Sequence, residues 1–199
     1  DRVASRGLGD VYKRQNLNAD LAIIMLDASS FLLDQDRKLI EKARDNGRAI
    51  IIVVNKTDLL DKDSKSEIES ILKTDPMFVG LPSCFISAKN REGLKHLFDI
   101  IYRVLENVKK NISTNKLNKI LRKAMDAKSI PFKGKFRPKI RFVHQGGKNP
   151  HIITVHGNSL EKIEGSYKRF LVNFYQKKLE LLGITIKLKF ITSKNPYKS

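Results

Sequence analysis

Acidic residues are scarce in this chain. Its 21 Asp and Glu stand against 39 Lys and Arg, a formal net charge of +18. A protein so short of acid generally meets a polyanion. Cysteine is almost missing as well. The one thiol, Cys84, excludes an internal disulfide, and its place in the apolar run Cys84-Phe85-Ile86 makes it a core residue. No apolar run approaches the ~20 residues that cross a bilayer, and no cleavable signal pattern opens the chain. A cytoplasmic protein is therefore the default. The histidines show no ligand-type spacing, which speaks against a metal site, and no Ser-His-Asp or Cys-His constellation stands out. What is present, 41% hydrophobic residues in 199, suffices for one or two small domains with real cores.

The charge is unevenly placed. Up to Lys110 there are 19 basic and 17 acidic residues; from Asn111 onward there are 20 basic and 4 acidic. Two segments of such different electrostatics do different jobs. The first resembles an ordinary domain, the second a phosphate-backbone binder.

Residues 1–16 show no period and no packing logic, as expected of a leader foreign to the domain or of a disordered native tail. From Ala19 the pattern becomes regular. Leu21 to Leu26 is a continuous apolar run, as in a buried parallel strand. Asp34 to about Asn46 predicts a helix with Leu39, Ile40 and Ala43 on one face, stopped by Gly47. Ala49 to Val54 predicts a second buried strand. Ser64 to about Leu72 predicts a helix capped by Ser64 with Glu67 three residues on. Ser83 to Ile86 reads as a third strand. Glu92 to Val108 reads as a helix presenting Leu94, Leu97, Phe98, Ile101 and Leu105 to a sheet. Alternating strands and helices point to a parallel α/β sheet. The second segment reads as helix (Lys116 to Ala127), strand (Pro138 to His144), a turn at Gly146, Gly147 and Pro150, strand (His151 to His156), helix (Ser166 to Leu182, closed by Gly183) and strand (Ile184 to Ile191). That order suggests a three-stranded sheet backed by helices. On the long helix Tyr167, Phe170 and Phe174 share helical spacing, with Tyr175 beside them, and read as core.

Chemistry concentrates at two strand ends. Asn55-Lys56-Thr57-Asp58 directly follows the second strand, where open α/β sheets bind ligands. A fixed carboxylate there accepts two hydrogen bonds from the ring N–H and exocyclic amine of guanine. Adenine offers no such donor pair and would leave the carboxylate unpaired. The Lys56 stem can lie across the base, and Asn55 can tie the loop. Alone, the four residues also fit a polar loop in which Asp58 or Asp61 merely caps a helix. A second motif, Ser87-Ala88-Lys89, follows the next strand, as one shared base pocket requires. There a backbone N–H would meet the guanine carbonyl while the Ser87 hydroxyl orders the loop.

With these residues the chain resembles the later part of a Ras-like G domain of the TrmE-Era-EngA group. Asp34-Gln35-Asp36, Asn55-Lys56-Thr57-Asp58 and Ile86-Ser87-Ala88-Lys89 carry the likeness. Ile112-Ser113-Thr114, Phe142-Val143-His144-Gln145-Gly146-Gly147, Val155-His156-Gly157-Asn158, Ser166-Tyr167-Lys168-Arg169-Phe170 and Asn195-Pro196-Tyr197 narrow it to the Der (EngA) family and its C-terminal KH-like domain. The resemblance implies the later half of a second G domain at residues 17–112 and a KH-like RNA-binding domain at 113–199. It implies GTP as the nucleotide, Mg2+ in the full-length family, and guanine contacts from Asn55, Lys56, Asp58, Ser87, Ala88 and Lys89. It also implies a role in large-subunit ribosome assembly, with the subunit, its rRNA and upstream G domains as partners, in the cytoplasm and not at a membrane.

Other parts of that machinery have no counterpart here. No Gly-x-x-x-x-Gly-Lys-Ser/Thr phosphate cradle occurs, and no Asp-x-x-Gly. This chain by itself is therefore expected to lack GTP hydrolysis and to bind a guanine nucleotide only at roughly millimolar strength. The apolar strand at Leu21 is expected to leave an open edge, making residues 19–110 the less stable half. In the basic segment Lys133, Lys135, Arg137, Lys139 and Arg141 alternate, as on one face of an extended chain, and Lys187 and Lys189 would extend that face. Lys168, Arg169, Lys177 and Lys178 add charge on a helix. KH modules clamp backbone with Gly-x-x-Gly, which this chain lacks; structured rRNA met through its backbone is the better expectation. A nucleotide-independent RNA-binding module with a G-domain remnant, and a protein–protein interaction fragment with incidental charge, are the competing readings.

Overall fold

The computed structural model of the chain describes residues 19–131 and 138–192. The leader, Lys133, Lys135, Arg137 and Asn195-Pro196-Tyr197 lie outside the described residues. Contacts divide the rest into two compact units, one up to Val108 together with Leu182–Ile184, the other from Lys109 to Leu181 and onward from Thr185.

The first unit is a parallel α/β layer. Strand β1 (Leu21–Asp27), helix α1 (Asp34–Asp45), β2 (Ala49–Asn55), helix α2 (Lys62–Thr74), β3 (Ser83–Phe85) and helix α3 (Leu94–Lys109) follow in turn. The sheet order is β1-β2-β3 with both pairings parallel. All six apolar side chains of β2 are buried, as a central strand covered on both faces requires. One core cluster gathers Ile24, Leu26, Ile50 and Ile52 against Ile40 of α1 and Phe78. Cys84 is buried in β3.

Local details depart from the sequence reading. Helix α2 begins at Lys62, and its cap is Asp61, whose carboxylate accepts the Ser64 N–H at 2.8 Å. An ionised acid outcompetes a serine hydroxyl at the positive end of a helix. On α3 the buried stripe is Leu97, Ile100, Val104 and Val108, whereas Phe98 is 57% exposed. The inward face is thus rotated by about one residue from the expected one.

The outer side of β1 has no strand partner among the described residues. Ile23 and Met25 point away from the buried Ile24 and Leu26 and are exposed. Together with Leu39 they border a groove of about 320 Å3 between β1 and α1.

The second unit contains helix α4 (Thr114–Ala127), β4 (Lys139–Lys148), β5 (His151–Asn158), helix α5 (Gly165–Leu179) and β6 (Ile186–Thr192). Its sheet runs β4-β5-β6, antiparallel then parallel. Gly146 and Gly147 belong to β4, and the turn is Asn149-Pro150 alone. Gly146 is required within the strand, because a Cβ there would meet Thr154 Oγ1 at 2.2 Å. Helix α5 stops at Leu179 with Glu180 as a left-handed C-cap (φ 51°), so Gly183 lies beyond its end. Tyr167 and Tyr175 are fully buried, their hydroxyls donating to the carbonyls of Lys128 (3.0 Å) and Leu117 (3.1 Å). Burial pushes both phenols upward in pKa. Phe170 and Phe174 are only partly buried.

With one edge unpaired, β1 should open before β2. Amide hydrogen exchange is expected to show β1 exchanging roughly tenfold faster than β2. Equal protection of the two strands would contradict the open edge.

Candidate nucleotide-binding site

Parallel pairing puts the ends of β1 and β2 in register, with Asp27 beside Asn55, and β3 delivers Ser87 on the other side of β2. Each functional group therefore leaves the sheet at the same end, where peptide dipoles and loop N–H groups are free of ladder bonds.

The two loops are tied to each other by side chains. Ser87 Oγ donates to Asp58 Oδ1 at 2.6 Å. The Ala88 N–H donates to Asn55 Oδ1 at 3.0 Å, and the Thr57 N–H to the Ile86 carbonyl at 3.2 Å. Ser87 is fully buried, and its hydroxyl also accepts the Asn90 N–H at 3.1 Å. A paired bridge between Ser87 and Glu92 closes the second loop. Gly93 then turns into α3 with φ +73°, where a Cβ would meet the Phe85 carbonyl oxygen at 2.3 Å; only glycine fits so close to β3.

Asp58 is exposed. The bond from Ser87, foremost, holds its carboxyl below the usual carboxylate range, with smaller help from Lys89 and Lys56. Oδ1 takes the Ser87 bond, and the exposed carboxylate keeps acceptor capacity for further donors. Lys56 occupies the left-handed region (φ 65°), and its ammonium pairs with Asp27. That bond, with those from Ser29, holds Asp27 at about 2 instead of 3.8. Asp27 also caps the following turn through the Ser29 N–H at 3.0 Å.

The structure thus gathers Asn55, Lys56, Asp58, Ser87 and Ala88 in one place, with Lys89 exposed at the loop tip. A backbone N–H of the second loop is expected to meet a carbonyl of the base; of these, the Ala88 N–H is engaged by Asn55. Asp27 escaped the sequence reading. It ends an apolar strand just as Asn55 does, and that parallel was its only signal. Among the described residues no cluster of three or more His, Cys, Asp or Glu gathers to hold a metal ion.

The expected basic residues scatter more. Lys187 and Lys189 lie two apart on β6 opposite Ile152 and Thr154. Lys139 and Arg141 start β4, across the sheet and opposite its other end. A bulge between Ile140 and Phe142 breaks their alternation. On α5, Lys168 reaches over the Phe190 ring at 5.1 Å, while Arg169, Lys177 and Lys178 are exposed. Lys177 and Lys178 lie in the last helical turn, where cations suit the dipole.

Ser87→Ala should raise the Asp58 pKa toward 3.8, since the bond that favours the ionised form is lost. The carboxylate stays charged down through its depressed pKa in the native chain and protonates at higher pH in the variant. A carboxyl-carbon NMR titration reads this directly, and an unchanged Asp58 titration would contradict the tie.

Residues 11–107 match the family of the elongation factor Tu GTP-binding domain, and residues 111–190 match the KH-domain-like C-terminal region of EngA bacterial GTPase enzymes. GTPase Der of Acidovorax ebreus (strain TPSY) is 36% identical over 181 residues, 90% of this chain and 40% of that protein. GTPase Der of Thioalkalivibrio sulfidiphilus is 39% identical over 180 residues, 90% of this chain and 39% of that protein. The chain thus spans about 40% of the length of these relatives. A crystal structure of an Aquifex aeolicus Era variant bound to GDP.AlF4- overlaps at a TM-score of 0.40 with 18% identity, covering 92% of this chain and 70% of that one, too loosely to bear on function. A GTP-binding-domain match followed directly by the EngA-specific KH-like domain, with alignments to GTPase Der running across both, places this chain in the EngA (Der) family of bacterial GTPases.

Proposed function

We propose that this chain recognises the guanine base of GTP through Asn55, Lys56, Asp58, Ser87, Ala88 and Lys89, and binds ribosomal RNA through its basic second unit, as part of a cytoplasmic GTPase of large-subunit assembly. The observation that carries the first half is the Asp58 carboxylate, kept ionised and fixed by the buried Ser87 hydroxyl. Its free edge accepts the ring N–H and exocyclic amine of guanine. Adenine would present an acceptor to the carboxylate and be rejected. Asn55 and Ala88 brace the pocket wall, and exchange of their mutual bond would free the Ala88 N–H for the base carbonyl. The pairing of Lys56 with Asp27 fixes where the lysine stem runs at the pocket rim.

These groups fit the base. The phosphates and Mg2+ would be met by residues other than those of the two loops. The second half of the proposal rests on the excess of 20 basic over 4 acidic residues after Lys110, which favours a phosphate backbone and a salt-sensitive interaction. A large-subunit partner is what the resemblance of the motifs to the Der (EngA) family implies.

Asp58→Asn exchanges one acceptor for a donor. It should weaken binding of guanosine monophosphate roughly tenfold or more and improve binding of xanthosine monophosphate, whose C2 carbonyl accepts from the new amide. Ligand-observed NMR at millimolar nucleotide measures both. Unchanged guanine binding in the variant would remove Asp58 from the site. Absence of guanine binding in both proteins would favour the nucleotide-independent RNA-binding reading.

A further inference from the structure

The sheet of the second unit has one side filled by its own core. Val143, Ile153, Val155 and Ile186 are buried there. The opposite side is of another character. Register places Phe142, His156 and Ile191 in one row and His144 and Lys189 in the next, and Lys187 follows on the same face of β6. Phe142 and His156 stack with ring centroids 4.5 Å apart and planes 7° from parallel, and His144 lies against His156 at 5.0 Å and 23°. Phe142 is 46% exposed and Ile191 38%. The bulge after Ile140 sets this phase. Ile140 and Val143 both turn inward, three residues apart, so Phe142 and His144 turn out.

The rings stack face against face, so their inner faces cover one another, and what the stack leaves open to solvent is Phe142 at its end. A backbone-only contact needs cations and no rings. Rings beside ammonium groups match a polymer that alternates flat faces with phosphates, and the unit's charge selects an anionic one. A duplex hides its base faces, whereas an unpaired strand offers them.

We infer that this sheet face binds unpaired RNA, with a base continuing the ring stack on the exposed side of Phe142, and phosphates neutralised by Lys187 and Lys189. The inference rests on the RNA-binding reading above and sharpens it, since backbone contact with structured RNA leaves the exposed Phe142 unused.

The test compares an eight-nucleotide single-stranded RNA with a 16-base-pair RNA duplex, by fluorescence anisotropy on the full chain at about 50 mM salt. Phe142→Ala should weaken single-strand binding about tenfold or more and change duplex binding less than twofold. Lys189→Ala should weaken both and lower the salt slope by about one. The chain contains no tryptophan, so Phe142→Trp installs a single indole. Its fluorescence should be quenched by the single strand, saturating with the anisotropy, and not by the duplex. Equal effects of Phe142→Ala on both RNAs, or no effect on either, together with an unquenched indole, would overturn the stacking inference and leave RNA binding standing. Failure of both RNAs to bind the native chain would overturn the RNA reading itself, and the inference with it.

Discussion

The first unit's chemistry depends on one short hydrogen bond, from the Ser87 hydroxyl to Asp58. Its donor is completely buried and its acceptor is exposed. The bond therefore anchors a solvent-facing charge to the interior of the fold. It exists because β2 and β3 are parallel neighbours, which brings the loops after both strands to one end of the sheet. The Asn55–Ala88 bond ties the same two loops a second time. Without these ties the two motifs would be separate polar turns, each too mobile to prefer one base over another.

The second unit solves a different problem. A sheet with helices on one side must do something with the other. Here β4 carries a bulge that re-aims its side chains, so an apolar side faces inward while rings and lysines face out. Two part-buried amides are paired locally. Asn118 exchanges two bonds with the Val143 backbone, at 2.8 and 3.1 Å, and Gln145 holds the Ile112 N–H at 2.9 Å. Amides paired in this way hold β4 against α4 and fix its register.

Much of this was legible in the sequence, for physical reasons. The continuous apolar runs of β1 and β2 can only be strands covered on both faces or on one, and the polar residues that end them mark the loops. The spacing of Asn55, Asp58 and Ser87 relative to those runs was enough to place them together. What stayed hidden depends on phase. Strict alternation would have put Lys139 and Arg141 on the same side as Val143, which is the core. The bulge shifts the phase, and nothing in the composition of Ile140-Arg141-Phe142 announces it. The Phe142, His144 and His156 stack depends on that same shift and on cross-strand register, so it could not be seen from one strand. Asp61 displaced Ser64 as a cap, and α3 turned its apolar stripe by a residue, because both choices are settled by local competition and by what the sheet leaves room for. Gly146 and Gly147 look like a turn but serve close strand packing.

If the two strand-end loops act as one guanine pocket, they must respond to the base together. The direct measurement is an amide NMR titration of the chain with guanosine monophosphate against adenosine monophosphate. The guanine nucleotide should shift the amides of Asn55 to Asp58 and of Ser87 to Asn90 together, along one binding curve, while the adenine nucleotide at equal concentration moves neither. Shifts confined to one loop, or equal responses to the two nucleotides, would contradict a single guanine pocket.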